Sequence, residues 1–210
     1  MASHYFPTGT IYGVLLNFQG ERDALAAQMS QPPYKAPPQA PVLYFKTANT
    51  WSVNGASVPV PARVPQVEIG ATVAMVIGSV TRYVLMNDLS IPHASFFRPP
   101  VKFKCLDGFL GIGSQLATVD DPATIKLEVR INGDLEQTIN FSALVRNAQA
   151  LLTDVAEFMT LREGDVLMLG CDCLPGGGRP LAKVGDVVQI NSPSHPALGV
   201  LVNTLIAEIL

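Results

Sequence analysis

The sequence has few charges, no basic block and no long apolar run, and each shortage excludes a class of protein. The 14 Lys and Arg residues are scattered, and together with 17 Asp and Glu residues they give a formal net charge of −3. A chain without a basic block is poorly suited to bind nucleic acid or an anionic membrane surface. The apolar runs near Val166 and Leu198 are interrupted by Asp, Asn or Glu, so neither has the length of a membrane span.

The first residues and the cysteines both bear on the cellular compartment. The start MASHYFPTGT has no basic segment followed by an apolar core, so it does not resemble a signal peptide. Three cysteines, an odd number, suit a reducing compartment better than a disulfide framework. We therefore expect the protein to be cytoplasmic.

The low charge also bears on domain number and assembly. Charged residues make up 15% of the chain and hydrophobic residues 48%. A length of 210 residues suits one domain, which we place over residues 1–210. So few charges on so apolar a chain suggest that part of its surface is buried between chains, so we expect an oligomer.

Most of the chain has the pattern of β-strands separated by turns. Strands are predicted over residues 10–17, 42–46, 71–77, 83–86, 126–131, 135–140, 166–170, 187–190 and 198–209. Asn132 and Gly133 supply the chemistry of a hairpin turn between two of them. The proline-rich residues 31–41 and residues 91–107 are predicted to be loops.

Helical patterns are fewer. Residues 21–29 have the composition of a short helix, and residues 141–159 are predicted to form the one long helix. Seven apolar residues of the second segment fall on one stripe at helical spacing, and Asn140 or Ser142 would cap its start. Many strands with one long helix indicate the α+β class, mostly β.

The two central strands end at a polar pair. The apolar strand at 71–77 is followed by Gly78, a short link and a second apolar run, which ends at Asn87 and Asp88. A rigid sheet that presents polar side chains at a strand end is a suitable support for a ligand site. These residues are therefore the first candidates for function.

An ordered set of motifs resembles the fumarylacetoacetate hydrolase family over roughly residues 9–209. The motifs are PVLYFK (41–46), VIG (76–78), YVLMND (83–88), KCLDG (104–108), ING (131–133), ALLTDVAEFMTLREGD (150–165) and GDVV (185–188). Any one of them is weak evidence, but their order along the chain is specific. The resemblance implies a mixed β-sandwich roll with one long helix.

The resemblance also implies a metal site. The family holds a divalent cation, Mg²⁺ or Mn²⁺, on carboxylates, and the cation stabilises an enolate formed from a keto acid. Asp88 matches the family's third metal carboxylate, whereas its two strand glutamates fall on Gly70 and Thr72. Glu68 lies on the same strand face as Gly70, about 7 Å away, and is a possible replacement ligand. One carboxylate alone holds a hard divalent ion only weakly.

Other family positions correspond to polar residues of this chain. Lys46 and Lys104 match the lysines that steady the substrate, and each is otherwise interpretable as a surface lysine. The family's histidine falls on or near Glu21, and its T-G-T-P motif falls on LGCD (169–172). Asp88 itself has a second interpretation, as a turn or cap residue at a strand end.

Three further residues keep two interpretations each, and two basic residues are candidates for substrate binding. His93 is either a substitute ligand or base or a solvated loop histidine. Cys171 and Cys173 are either a metal or redox motif or two thiols at a strand edge. Arg98, like Lys102, is a candidate for binding substrate carboxylates, because it belongs to a basic cluster in the loop after Asp88.

Three segments resemble one branch of the family, namely PPYKAPP (32–38), SFFRPP (95–100) and KCLDGF (104–109). That branch acts in 4-hydroxyphenylacetate catabolism as a decarboxylase and isomerase of small dicarboxylic keto acids, with two copies of this domain, fused or as separate subunits. The chain resembles the first copy, so a homodimer or a hetero-oligomer with a sister subunit is expected.

Three functions follow from this resemblance. The first is an enzyme subunit that works with an intact sister subunit. The second is a structural partner without activity. The third is a metal-free module that binds a dicarboxylate through a basic cluster formed by Lys46, Arg98, Lys102 and Lys104.

Overall fold

A computed structural model describes residues 4–94 and 101–208. Its strands are β1 (Ile11–Leu15), β2 (Val42–Lys46), β3 (Trp51–Val53), β4 (Ser57–Val60), β5 (Val67–Glu68), β6 (Ala71–Val76), β7 (Arg82–Asp88), β8 (Leu110–Ile112), β9 (Lys126–Ile131), β10 (Asp134–Asn140), β11 (Val166–Met168), β12 (Leu181–Ala182), β13 (Val187–Asn191) and β14 (Val200–Ala207). Its α-helices are α1 (Gln19–Met29), α2 (Val101–Lys104) and α3 (Ala148–Ala156). The expected α+β class, mostly β, is confirmed.

The strands form two large sheets and one small one. The seven-stranded sheet has the order β2-β1-β11-β6-β7-β8-β3, the five-stranded sheet the order β10-β9-β13-β14-β4, and β12 pairs with β5. The main core contains side chains of both large sheets, such as Val73 and Leu85 from the first and Val129 and Leu201 from the second. No helix among the described residues is long and apolar enough to cross a membrane.

The seven-stranded sheet is covered on both faces. All six residues of β6 are buried, with Val73 and Met75 in the main core and Ala74 and Val76 in a second apolar cluster on the opposite face. Because side chains alternate between faces, only a strand buried on both sides has a continuous apolar sequence. The five-stranded sheet instead shows alternating buried and partly exposed residues, as in β9. The site described below lies on the doubly covered sheet.

The predicted hairpin and the predicted central strands are confirmed. β9 and β10 pair in antiparallel register across Asn132 and Gly133, whose φ angles are 54° and 95°. Two consecutive residues with positive φ make the turn type that matches the twist of a hairpin. β6 and β7 are antiparallel neighbours with Ala71 opposite Asn87.

The predicted helix over 141–159 is wrong in its bounds. Residues 141–143 form one 3₁₀ turn, and α3 covers only Ala148–Ala156, so it is shorter than α1. Asn17 explains the interruption, because its carbonyl accepts the amide of Val145 and its side chain bonds both the amide and the carbonyl of Arg146. These tertiary hydrogen bonds override helical periodicity. Residues 101–104, predicted as loop, form the short helix α2.

The cap of α3 gives a direct test of this correction. The Asn147 side chain accepts the amide of Ala150 at 2.9 Å, whereas the side chain of Asn140 makes no cap hydrogen bond. Asn147→Ala should therefore lower the free energy of unfolding by about 1 kcal/mol. Asn140→Ala, the matched control in urea unfolding, should have less than half that effect, and equal effects would contradict the assignment.

Candidate functional site

Asp88, at the end of β7, lies between two lysines. Its Oδ1 is 2.9 Å from Lys46 Nζ at the end of β2, and its Oδ2 is 2.6 Å from Lys104 Nζ at the end of α2. The Tyr44 hydroxyl also donates to Oδ2. All three charged side chains are at most 1% exposed. The structure therefore brings together the three residues that the sequence singled out, as one buried ion-pair cluster.

Charge pairing dominates the protonation state of this cluster. Burial opposes ionisation of Asp88, but the ammonium groups of Lys104 and Lys46 outweigh it and hold the pKa of the carboxyl well below its usual range. Burial lowers the pKa of Lys46, and Asp88 offsets part of that effect. Burial and the Asp88 charge both raise the pKa of Tyr44. Asp88 is therefore a carboxylate with its charge already compensated.

Lys46 has no free donor to offer a ligand. Besides Asp88, its ammonium donates to the carbonyls of Lys104, Phe109 (2.8 Å) and Leu89 (3.5 Å). Its side chain is 0% exposed. Lys46 therefore ties β2 to the loops that follow β7 and α2, and it does not contribute to a basic surface cluster.

The two positions of the family's strand glutamates are closed in this chain. A Cβ placed on Gly70 would lie 2.3 Å from the carbonyl oxygen of Asp88, so the backbone of β7 occupies the space of a side chain. The Thr72 hydroxyl donates to the Gly170 carbonyl at 2.5 Å, and Cys171 Sγ contacts the Gly70 carbonyl at 3.3 Å. Burial raises the pKa of the Cys171 thiol to about 12, so it is a neutral group.

Because the Asp88 carbonyl lies so close to Gly70, any side chain at position 70 should lower the stability of the fold. Gly70→Ala should lower the free energy of unfolding by about 1–3 kcal/mol, because β7 has to move to admit the methyl group. Gly78→Ala is the matched control, since its new Cβ would meet only the Val80 carbonyl at an ordinary 3.5 Å. Urea unfolding of both variants measures the two losses. Equal stabilities would show that the backbone at Asp88 moves aside at no cost in free energy.

A cavity of about 300 Å³ adjoins the cluster. Its lining includes one face of α1, the glycine-rich loop 176–178 and the polar side chains Glu21, Glu68, His93, Lys104, Cys173 and Arg179. Lys104 is the member of the ion-pair cluster that reaches this cavity. A half-enclosed cavity with several polar groups is the usual form of a small-molecule site.

Arg179 organises the other side of the cavity. Its Nη2 donates to Glu21 Oε1 at 2.7 Å, and its Nη1 lies 3.8 Å from Glu68 Oε2. The second oxygen of Glu21 accepts the amide of Leu16 at 2.7 Å. Burial raises the pKa of Glu21 despite these partners. Burial opposes the charge of Arg179, but the neighbouring carboxylates raise its pKa above the usual value.

The other candidate residues lie at different places around this site. Glu68 Oε2 lies 3.8 Å from Arg179 Nη1, so as a replacement metal ligand Glu68 would have to give up this ion pair. His93 lies in the cavity wall, where its Nδ1 is 2.8 Å from the Ile91 carbonyl and its ring stacks on Phe103. Lys102 is exposed on α2, away from the cavity lining, and Arg98 lies outside the described residues. Sequence reasoning missed Arg179, because nothing distinguishes it within a Gly/Pro loop.

The residues present do not suit Mg²⁺ or Mn²⁺. Among residues 4–94 and 101–208 there is no group of three His, Cys, Asp or Glu side chains placed to hold a metal ion. Asp88 is the one family ligand that is retained, and both its oxygens face ammonium groups. A hard divalent cation takes six or more oxygen ligands, or a few carboxylates with water. The expected metal site is therefore not formed by these side chains.

Comparison with known proteins gives the family. The model of the fumarylacetoacetate (FAA) hydrolase C-terminal family matches residues 10–206. The 4-hydroxyphenylacetate degradation bifunctional isomerase/decarboxylase of Salmonella dublin is 35% identical over 95% of this chain and 48% of its own length. The homoprotocatechuate catabolism bifunctional isomerase/decarboxylase of Escherichia coli is 38% identical over 90% of this chain and 46% of its own length. The chain thus spans about half the length of these curated relatives.

A solved structure shows the same fold. Maleylpyruvate hydrolase from Sphingobium sp. SYK-6, in complex with manganese (II) ion and pyruvate, matches 95% of this chain and 71% of its own chain, with 20% identity and a TM-score of 0.70. The family model, the two relatives and the shared fold agree with the ordered motifs of the sequence. The chain is therefore a member of the fumarylacetoacetate hydrolase family.

Proposed function

We propose that this chain is one subunit of a 5-oxopent-3-ene-1,2,5-tricarboxylate decarboxylase and 2-hydroxyhepta-2,4-diene-1,7-dioate isomerase of 4-hydroxyphenylacetate catabolism. An intact sister subunit of the same fold would carry the metal-dependent chemistry. The observation that supports this most is the identity of 35–38% across nearly the whole chain to bifunctional enzymes of which it spans only half. The other half of those relatives would correspond to the sister subunit of this proposal.

The site supports a role without its own turnover. Glutamates are missing at Gly70 and Thr72, and the remaining carboxylate of Asp88 is neutralised by Lys46 and Lys104. Enolate stabilisation by a Lewis acid needs an ion with open coordination positions, which this cluster does not provide. The chain retains the fold of the family, and its contribution to the enzyme is assembly with its partner.

Exposed apolar side chains support such an assembly. The side chains of Phe45 in β2, Val53 in β3 and Val101 in α2 are 53%, 52% and 50% exposed, although each lies in a helix or strand. Large apolar groups left at the surface are typical of contacts between chains. This is consistent with the low charge content of the chain.

The test compares the chain alone with the chain and a partner. The partner is a family member from the same organism that carries glutamates at the positions of Gly70 and Thr72. We expect no decarboxylation by the purified chain with Mg²⁺, in wild type or Asp88→Ala, and co-elution with the partner together with a change in its turnover. Turnover by the chain alone that is lost in Asp88→Ala would contradict the proposal. So would a partner whose assembly and rate are unchanged by the chain.

The metal-free binding module is the alternative, and the cavity favours it only through Lys104 and Arg179. Both cations are already paired, with Asp88 and Glu21 respectively, and a dicarboxylate would have to displace a buried carboxylate. We therefore expect no heat of binding when heptanedioate is titrated to millimolar concentration in EDTA. Saturable binding that is lost in Arg179→Met would favour the binding module instead.

A further inference from the structure

A groove of about 550 Å³ lies at the end of β6 and shares no lining residue with the cavity beside Lys104. It is lined by residues from four segments, namely 5–8, 76–82, 116–118 and 163–164. We call it the Arg82 groove. An adjoining recess of about 680 Å³ shares four of its lining residues, so the two spaces are continuous. This groove is therefore separate from the family site, and the chemistry discussed above makes no use of it.

Two exposed side chains of opposite charge, Arg82 and Glu163, line the Arg82 groove. In the sheet, Arg82 of β7 pairs with Val76 of β6, and Val166 of β11 pairs with Val76 from the other side. Glu163 lies in the turn just before Val166. The two charges therefore stand on either side of the end of β6. Within residues 4–94 and 101–208, neither of them makes an ion pair.

Apolar and aromatic side chains accompany these two charges. Val80, in the link between β6 and β7, is 62% exposed. Phe6 is 49% exposed, and its ring contacts the Trp51 ring edge-on with the centroids 5.5 Å apart. The Tyr5 hydroxyl is buried and has no hydrogen-bond partner among the described residues. Aromatic rings, an arginine and an orphaned polar group are typical of a surface that is completed by another protein.

The order of the charges indicates which protein fits. A patch with a cation on one side and an anion on the other becomes complementary to itself after a two-fold rotation. The rotation brings Arg82 of one copy against Glu163 of the other, and the same contact occurs twice. A partner that carried one sign of charge alone would face a like charge at one of the two positions. A second copy of this chain meets both.

We propose that the Arg82 groove is the contact surface between two copies of this chain, related by a two-fold axis that passes near Val80. The inference goes beyond the proposed function, because the sister subunit is a different chain. It also accounts for part of the apolar surface that the low charge content led us to expect at an interface.

Sedimentation equilibrium of the full chain tests the inference. Wild type is expected to be a dimer at about 50 μM chain, because interfaces of ordinary size bind at micromolar concentration or tighter. Arg82→Glu and Glu163→Arg should each raise the dissociation constant at least about tenfold, because each places two pairs of like charges in contact. Lys126→Glu and Glu136→Arg, the same reversals at exposed residues of β9 and β10, are the matched controls and should sediment like wild type.

An equal mixture of the Arg82→Glu and Glu163→Arg chains gives the most specific readout. In a mixed dimer the introduced glutamate of one chain faces the introduced arginine of the other, and the two native side chains also face each other with opposite signs. The mixture should therefore regain the dissociation constant of wild type, although each variant alone associates weakly. Mixing would not repair a structural defect in either variant.

Three results would overturn the inference. The first is a wild type that remains monomeric at about 50 μM. The second is a wild-type dimer that either reversal leaves as tight as the controls do. The third is a mixture that does not recover association. If a reversal does not fold, Val80→Asp takes its place, and a dimer that this change leaves intact would also overturn the inference.

These outcomes are distinct from those of the proposed function. A chain that dimerises through the Arg82 groove but neither binds the sister subunit nor changes its turnover would refute the proposed function alone. A monomeric chain that binds the sister subunit and changes its turnover would refute the contact between copies alone. Loss of that binding in Arg82→Glu would then assign the groove to the sister subunit.

Discussion

Asp88→Asn is expected to lower the free energy of unfolding by about 3–5 kcal/mol, because it breaks a buried ion-pair cluster. Within residues 4–94 and 101–208, Asp88 supplies the only carboxylate in contact with the ammonium groups of Lys46 and Lys104, and both lysines remain buried after the change. An isolated buried charge cannot recover its hydration, and the amide of Asn offers only a dipole in return. Against a typical total stability of about 5–15 kcal/mol, such a loss is readily measured by urea unfolding.

Asp154→Asn is the matched control for this prediction. The Asp154 carboxylate accepts a hydrogen bond from Arg146 Nε at 2.6 Å, but the Asp154 side chain is 32% exposed and that of Arg146 is 19% exposed. An ion pair with that access to water contributes about 0–1 kcal/mol, so the control should lose little. If Asp88→Asn costs no more than Asp154→Asn, the lysines are not held as ammonium ions by Asp88.

Acid should reduce the difference between wild type and Asp88→Asn. The pKa of Asp88 is lower in the folded chain than in the unfolded chain, so its ionised form contributes stability at pH values above the unfolded value of about 3.9. That contribution is lost as the pH falls toward the folded pKa, because the unfolded state then binds more protons. The difference in unfolding free energy between the two proteins should therefore be constant near neutral pH and decrease below about pH 4.

Arg179→Met should lower the free energy of unfolding by about 3 kcal/mol. It leaves Glu21, whose side chain is 9% exposed, without its guanidinium, and it also removes the nearest cation from Glu68. Glu21→Gln in the same background should recover part of the loss, since a neutral amide needs no counter-charge. A double-mutant cycle for this pair should give a coupling energy of about 1–3 kcal/mol.

The pair of Arg130 and Glu128 on β9 provides the control cycle. Its atoms are 3.1 Å apart, but the side chains are 35% and 28% exposed. The corresponding cycle, with Arg130→Met and Glu128→Gln, should give a coupling energy below about 1 kcal/mol. Equal coupling in the two cycles would mean that Arg179 is solvated like a surface residue and does not organise the cavity.

The sequence identified the members of the Asp88 cluster but not their arrangement. Motif order pointed to Asp88, Lys46 and Lys104, because Lys46 and Asp88 end recognisable motifs and Lys104 begins one. Their mutual pairing depends on strands β2 and β7 and helix α2, which are distant in sequence and meet only in the folded sheet. A pattern of residues along the chain carries no information on which charges neutralise each other.

Two other features were beyond sequence reasoning for different physical reasons. Residues 141–159 have a helical stripe, but Asn17 binds the backbone of residues 145–146 and interrupts it, and periodicity does not detect a partner far away in the chain. Arg179 lies in an irregular loop, where neither the helical period of 3.6 residues nor the strand period of two residues applies. The β-hairpin at Asn132 and Gly133 was predictable because its determinants are local.

The carbonyl of Asp88 in the space above Gly70 makes the loss of the strand glutamate difficult to reverse in evolution. A back-mutation to Glu at position 70 would meet that carbonyl, so β7 has to move before the new carboxylate is useful. Until then the intermediate is less stable and gains no activity, and selection removes variants that fall below the stability threshold. Position 72, where Thr72 bonds to a backbone carbonyl, would have to change as well. We expect lineages of this chain to retain the cluster of Asp88, Lys46 and Lys104 without regaining a glutamate at position 70.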